Sequence, residues 1–272
     1  MSLRSFKRIR GQALKTLALV CCALLSACDS GESGSGPTAG VISVQLGWSL
    51  PSGFDATSGI TFTNGAGYSI HLSSVMINTY SVELIPCDEE LFRKLQEPRQ
   101  RPKLSQGILI NKAWAGHGDP TRPTRTGVVR PEWPMSQANP VFMDTLDPPD
   151  YDYCRVHYLV GRVPDTPMTQ SSHADLIGLS MSIDGTYQAP GTPTAQPFQV
   201  RTSAAHGTLS DLAANGQGTG LRLREGDRLI VQRNFESLFN GVVFDAMADK
   251  EIARHILRNI VNGVSLEVVP NA

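Results

Sequence analysis

The sequence predicts a mainly β fold, an antiparallel β-sandwich of immunoglobulin-like type or a related barrel, with one C-terminal α-helix and a long irregular loop. Three observations support this prediction. Apolar residues alternate over many short stretches, turn residues separate these stretches, and strands and helices do not alternate regularly. The length of 272 residues and the 40% hydrophobic content suit one large β domain or two small ones.

The first strand is predicted from strict alternation between residues 41 and 50. Its apolar face carries Ile42, Val44, Leu46, Trp48 and Leu50. A second block, residues 68–87, changes the parity of its apolar set between Leu72 and Val75. This change predicts a bulge or turn at Ser73-Ser74 and two strands rather than one.

Further strands are predicted along the second half of the chain, at residues 153–160, 179–183, 198–200, 221–231 and 264–268. Asp88 is suited to cap a short helix that Pro98 ends. The one long helix is predicted at residues 248–262, where an apolar stripe recurs with helical spacing, and Gly263 is its expected C-cap.

Between residues 98 and 149 regular patterning largely disappears, and only residues 108–114 resemble a strand. Such a long irregular connection is typical of a functional loop or a poorly ordered one. Basic residues gather in and just before it: Arg93, Lys94, Arg99, Arg101, Lys103, Lys112, Arg122, Arg125 and Arg130. A solvated loop surface is the favoured interpretation, and an anionic partner or phospholipid headgroups are the alternative.

The N-terminal segment has the charge and length of a secretory signal. Five basic residues precede or flank an apolar run, residues 17–25, that is too short to span a bilayer. Its last four residues, Leu25-Ser26-Ala27-Cys28, resemble the bacterial lipobox. The resemblance implies cleavage before Cys28 and lipid on its sulfur and new amino group.

This interpretation sets the expected domain organisation and location. Residues 1–27 are the signal peptide, residues 28–40 a Gly/Ser-rich flexible tether, and residues 41–272 a single β-sandwich domain with the loop at about 98–149. The domain is expected in the cell envelope, lipid-anchored to the inner or outer membrane and either facing the periplasm or exposed at the surface.

Net charge argues against nucleic acid as a partner. The precursor has 24 Lys+Arg and 25 Asp+Glu, and the signal peptide removes five basic and no acidic residues, so the mature charge is 19 − 25 = −6. A modestly acidic chain has no overall electrostatic attraction for nucleic acid.

The five cysteines divide by position. On the lipobox interpretation Cys21 and Cys22 leave with the signal and Cys28 carries lipid, so Cys87 and Cys154 remain. In an exported protein a disulfide is the simplest interpretation of two remaining cysteines. A pair of thiolate metal ligands is the alternative.

No familiar catalytic motif is present in a suitable context. The chain has no nucleophile elbow between a strand and a helix, no Walker loop, no strand-linked dinucleotide motif and no His-Glu-x-x-His. The acidic aromatic segment at residues 147–153 has carboxylates at short spacing, but it lacks the glycine and terminal Glu of an EF-hand. A solvated turn leading into a strand is favoured there over a calcium site.

Histidines are the candidate metal ligands, because imidazole and thioether groups suit copper in an exported protein. The candidates are His71, His117, His157 and His173, which could form one site only if the fold brings them together. His157 alternates away from the apolar face of its strand, and His206 and His255 are weaker candidates. Each histidine alone is more often an ordinary surface or hydrogen-bonded side chain.

Three blocks resemble the MbnP-like periplasmic proteins, which are associated with methanobactin and copper: residues 68–84, residues 155–161, and residues 227–231 leading to residues 235–242. The resemblance implies a secreted β-sandwich that binds copper and is often paired with a di-haem peroxidase-like partner.

Three functional hypotheses follow. The first is a lipid-anchored exported binding protein, with copper as the leading ligand. The second is a structural or interaction lipoprotein that displays the basic loop to a protein or an envelope surface without metal. The third is a hydrolytic enzyme, for which no catalytic residues are identified.

Overall fold

The fold is described from a computed structural model, which covers residues 39–50, 60–88, 90, 130–132, 140–165, 174–212 and 220–271. Several predicted features lie outside these residues. They are the signal peptide with Cys28, nearly all of the tether, most of the short helix after Asp88, and the strand at residues 108–114.

The described residues form a mainly β structure of two packed sheets with one α-helix near the C-terminus, as predicted. The helix, α1, spans Asp249–Asn262, close to the predicted bounds. The strands are β1 (Ile42–Ser49), β2 (Ile60–Thr63), β3 (Ser69–Pro86), β4 (Arg130–Glu132), β5 (Val141–Leu146), β6 (Asp152–Val160), β7 (Met181–Gln188), β8 (Gln196–Thr202), β9 (His206–Asp211), β10 (Leu221–Arg222), β11 (Arg228–Asn234) and β12 (Val264–Val269).

The smaller sheet has the strand order β12-β11-β1-β5. Strands β11 and β12 pair antiparallel, as do β1 and β5, but β1 and β11 pair in parallel, with Val44 opposite Leu229. The sandwich is therefore not antiparallel throughout. A parallel pair needs a long crossover, and here the whole larger sheet lies between β1 and β11 in the sequence.

The larger sheet is built around β3, which is paired along both edges. On one edge lie β2 and β4. On the other edge lie β7, paired with the first half of β3, and β6, paired with the second half. Ile77 pairs with both β4 and β7, so these two strands lie on opposite edges of β3. Thr79 pairs with both β4 and β6, so β6 also lies opposite β4. Strands β7 and β6 therefore share one edge of β3 and follow each other end to end.

The next row of the larger sheet repeats this arrangement. Strand β8 pairs with β7, whereas β9 and β10 pair with β6. The sheet therefore consists of long composite rows that are interrupted at one level, between β6 and β7 in one row and between β8 and β9 in the next. At this level the backbone N–H of Asn78 donates to Ser180, and the N–H of Gly161 donates to Asn78.

We call this interrupted level the seam and define it by Asn78, Gly161, Ser180, Thr202 and Ala204. The Asn78 amide donates through Nδ2 to the Gly161 carbonyl at 2.7 Å. The Ser180 hydroxyl lies 2.9 Å from the Thr202 carbonyl and 2.6 Å from that of Ala204. Both polar side chains are buried, so side-chain hydrogen bonds replace the missing backbone pairing.

The predicted irregularity at Ser73-Ser74 is a bulge. The register of β3 against β7 shifts between Leu72 and Ser74. The prediction of two separate strands is wrong, because β3 continues as one strand of 18 residues. An extra residue in one strand reverses the parity of its side chains without ending the pairing.

The core lies between the two sheets and α1. The apolar face of β1 is buried there, together with the alternate residues of β3, β6 and β7. The apolar stripe of α1 completes it with Ile252, Ala253, Ile256, Leu257, Ile260 and Val261, and the helix packs against β8 and β9. Gly263 follows the helix and donates its N–H to Asn259, but with φ −85° it does not adopt the left-handed conformation of a typical glycine cap.

Cys87 and Cys154 form a disulfide, with their Cα atoms 4.8 Å apart. The alternative of two thiolate metal ligands is wrong for this pair. The bond lies beside the last β3–β6 contact, Pro86 opposite Tyr153, and closes a loop with a sequence separation of 67 residues. In the chain-entropy model, closing a loop of this size stabilises the folded state by about 4 kcal/mol. Gly220 packs so closely that a Cβ there would collide with Cys87 Sγ.

The seam predicts a specific cost for removing its central amide. We expect Asn78→Ala to lower the free energy of unfolding by about 1–3 kcal/mol, because the buried Gly161 carbonyl loses its side-chain donor. Urea denaturation measures this change. Asn262→Ala, which removes an exposed amide, is the matched control and should change stability by less than about 0.5 kcal/mol. Equal effects of the two variants would contradict the role of the seam.

Candidate functional site

The two described candidate histidines lie on the same sheet but far apart. His71 is on β3, with Nδ1 3.0 Å from the Thr61 hydroxyl of β2. His157 is on β6 directly opposite Glu83. Glu83 follows His71 by 83 − 71 = 12 positions on β3, and at about 3.3 Å per residue this separation is on the order of 40 Å. The fold therefore does not bring His71 and His157 together.

The other two candidates, His117 and His173, lie outside the described residues. Within the described ranges no group of three or more His, Cys, Asp or Glu residues is placed to hold a metal ion. Of the weaker candidates, His206 begins β9, where burial and then the nearby Arg258 lower its pKa. His255 is on α1.

His157 and Glu83 form a partly buried imidazole–carboxylate pair. His157 Nδ1 lies 4.0 Å from Glu83 Oε2, and the side chains are 25% and 11% exposed. The other ring nitrogen of His157 faces β9, where a Cβ on Gly207 would approach it to 2.9 Å. Glycine at position 207 therefore leaves the room that this imidazole occupies.

The acidic aromatic segment is organised by hydrogen bonds within the protein. Asp150 accepts two hydrogen bonds from the Arg222 guanidinium, at 2.6 and 2.7 Å. Hydrogen bonding to Arg222, and then the charge of Arg222, lower the pKa of the Asp150 carboxyl group. The Tyr153 hydroxyl donates to the Pro149 carbonyl at 2.8 Å. Because both Asp150 oxygens contact Arg222, the segment matches a turn leading into β6 better than a calcium site.

A second polar cluster, which sequence reasoning missed, joins Tyr68, Tyr187, Gln196 and Asp245. The Tyr68 hydroxyl donates to Asp245 Oδ2 at 3.0 Å, and the Tyr187 hydroxyl lies 3.2 Å from Asp245 Oδ1 and 3.0 Å from Gln196 Oε1. We call these four residues the oxygen cluster. Burial, and then the hydrogen bond to Asp245, raise the pKa of Tyr68 and of Tyr187.

The oxygen cluster is held by a buried scaffold. Asn64, in the turn between β2 and β3, donates to the Val242 carbonyl at 2.9 Å and accepts from the backbone N–H of Tyr68 at 3.0 Å. This amide therefore ties the segment that carries Asp245 to the turn that carries Tyr68. The Tyr187 ring stacks on Phe244, with centroids 4.2 Å apart and an interplanar angle of 5°.

No sequence pattern pointed to the oxygen cluster. Its members come from the residue before β3, the β7–β8 hairpin and the segment between β11 and α1. Asp245 lies in a stretch without strand or helix periodicity, so only the tertiary fold shows that it meets two tyrosines.

A third feature is an open polar cleft of about 580 Å³ on the smaller sheet. Gln232, Ser265 and Glu267 contribute to its lining. Arg233 also lines it, although its side chain is fully buried and its guanidinium lies 4.3 Å from the centre of the Trp48 ring. The cation–π contact holds this arginine within the sheet.

No protein-family model, no curated protein and no solved structure matches the chain. Among the described residues, no helix is both long enough and apolar enough to cross a membrane.

The buried tyrosines predict a loss of stability in alkali. Burial raises the pKa of Tyr153 far above its usual value near 10, so the folded state holds this proton more tightly than the unfolded chain. The contribution of protonated Tyr153 to the free energy of unfolding is present below about pH 10 and declines above it, by up to about 1.4 kcal/mol per pH unit.

Urea denaturation between pH 8 and pH 11 tests this prediction with Tyr153→Phe. The variant loses the hydrogen bond to Pro149, and we expect it to be less stable at pH 8 by about 1 kcal/mol. Above pH 10 its stability should decline less steeply than that of the wild type, so the difference shrinks. Parallel decline of both proteins would contradict the prediction.

Proposed function

We propose that this chain is a lipid-anchored exported binding protein of the cell envelope. The observation that carries the proposal is the use of the cysteines. The disulfide takes Cys87 and Cys154, and Cys21 and Cys22 precede the proposed cleavage position. Of five cysteines, 5 − 2 − 2 = 1 is left, and this one is Cys28 of the lipobox-like tetrapeptide. A structural disulfide also fits an oxidising compartment.

Copper is the ligand we propose, and the geometry supports a narrower set of ligands than the four histidines. His157 Nδ1 and Glu83 Oε2 are 4.0 Å apart, longer than a hydrogen bond. Two metal bonds of about 2 Å each span such a distance. Imidazole and carboxylate are suitable ligands for Cu(II).

His71 is not part of this proposed site. It lies near the opposite end of β3 from Glu83, beside Thr61. His117 and His173 lie outside the described residues and stay predicted copper ligands. A di-haem peroxidase-like partner remains a prediction from the family resemblance, and the interaction lipoprotein remains the alternative function.

Lipidation is tested with the full chain produced in a bacterium that processes lipoproteins. We expect incorporation of labelled palmitate and recovery with the membrane fraction, and both should be lost in Cys28→Ala. Cys22→Ala is the matched control, because it removes a cysteine inside the proposed signal peptide. A label that persists in Cys28→Ala, or is absent from the wild type, would show the anchor proposal to be wrong.

Copper binding is tested by calorimetric Cu(II) titration of the purified chain carrying Cys28→Ala, which prevents lipidation. We expect one equivalent to bind, and His157→Ala and Glu83→Gln each to weaken binding by about tenfold or more. His71→Ala is the matched control and should bind copper as the parent does. Absence of stoichiometric binding, or equal losses in His71→Ala and His157→Ala, would refute this site.

A further inference from the structure

The oxygen cluster concentrates oxygen donors from three separate segments of the chain. The two tyrosine hydroxyls each lie within 3.2 Å of an Asp245 carboxylate oxygen, and Tyr187 also lies 3.0 Å from the amide oxygen of Gln196. The four side chains thus form one continuous series of oxygen contacts, in the order Tyr68, Asp245, Tyr187 and Gln196. Asp245 and Gln196 are exposed, so an ion in solvent has access to the cluster.

With the Gln196 amide oxygen turned toward Tyr187, hydrogen bonding does not account for every contact in the cluster. Each tyrosine hydroxyl supplies one proton, so two protons serve three oxygen–oxygen contacts. The Tyr187 hydroxyl is within hydrogen-bond distance of two acceptor oxygens and can donate to only one of them. An amide nitrogen of Gln196 turned toward Tyr187 would remove this surplus of acceptors, and a bound cation would also remove it.

The tyrosines are held in place before any ligand arrives. Tyr68 is only 5% exposed, and its ring packs against Phe244 with centroids 5.6 Å apart. Tyr187 stacks on the same Phe244 ring, and Asn64 fixes the segment leading to Asp245. Supporting contacts of this kind hold ligand side chains in position and tune a metal site.

We propose that Tyr68, Tyr187, Gln196 and Asp245 form a binding site for a hard trivalent cation, with ferric iron as the best match. Oxygen ligands select hard cations over copper(I) or zinc. A phenol coordinates strongly only as a phenolate, which requires a strongly Lewis-acidic ion in place of its proton. On binding, each tyrosine releases its proton to solvent. Two phenolates and one carboxylate then carry three negative charges, which balance the ion.

This site is independent of the proposed copper site. Tyr68 directly precedes β3, whereas Glu83 lies near the other end of that strand. The ligand chemistry also differs, because the oxygen cluster offers no nitrogen or sulfur donor apart from the amide nitrogen of Gln196. Loss of either site should therefore leave the other intact.

Ferric nitrilotriacetate is the probe for titration of the purified chain carrying Cys28→Ala. We expect one equivalent to produce a visible phenolate-to-iron charge-transfer band, with tyrosinate vibrations in the resonance Raman spectrum. Tyr68→Phe and Tyr187→Phe keep the packed rings and remove the oxygen. Each should abolish or shift the band and weaken iron binding by more than about 100-fold.

Tyr151→Phe is the matched control, because this tyrosine lies by the disulfide at the far end of β3 and should leave the band unchanged. Circular dichroism of each variant confirms folding. Absence of a visible band in the parent protein would overturn the proposal, and so would a band of full intensity in the folded Tyr68→Phe, Tyr187→Phe double variant. A band that is lost in this double variant and kept in Tyr151→Phe supports the site.

Discussion

The structure depends on the pairing of β3 along its full length. A strand of 18 residues crosses the middle of the larger sheet, and every buried backbone N–H and C=O on both of its edges needs a partner. No other described strand is as long as β3, so one of its edges is covered by β7 and β6 placed end to end. This requirement positions β2 and β4 on one side and β7 and β6 on the other.

Covering a long strand with shorter ones creates an interruption, and the seam is the result. Between β6 and β7 the chain leaves the sheet after Gly161 and returns at Ser180, and the next row is interrupted at the same level. Backbone groups exposed by the interruption would be costly in a buried position. Asn78 and Ser180 satisfy them with side-chain hydrogen bonds, which explains why polar residues are fully buried in the middle of a sheet.

Local sequence patterns were sufficient to predict structural features that depend on residues close together in the chain. Alternation predicted β1, the parity change predicted the bulge in β3, and the apolar stripe predicted α1. The number of cysteines and the expected compartment predicted the disulfide. Contacts between distant segments left no such pattern. The parallel pairing of β1 with β11, the separation of His71 from His157 and the meeting of two tyrosines with Asp245 all depend on strand register, which a single sequence does not encode locally.

The fold places the start of the described chain and the oxygen cluster at opposite ends of β3. Ala39, at the start of the described chain, donates its N–H to the Pro148 carbonyl, close to Tyr153 and the disulfide end of β3. Tyr68 and the oxygen cluster lie at the other end, 18 residues of strand away, which at about 3.3 Å per residue is on the order of 50–60 Å. The disulfide and the oxygen cluster therefore constrain opposite ends of the same long strand.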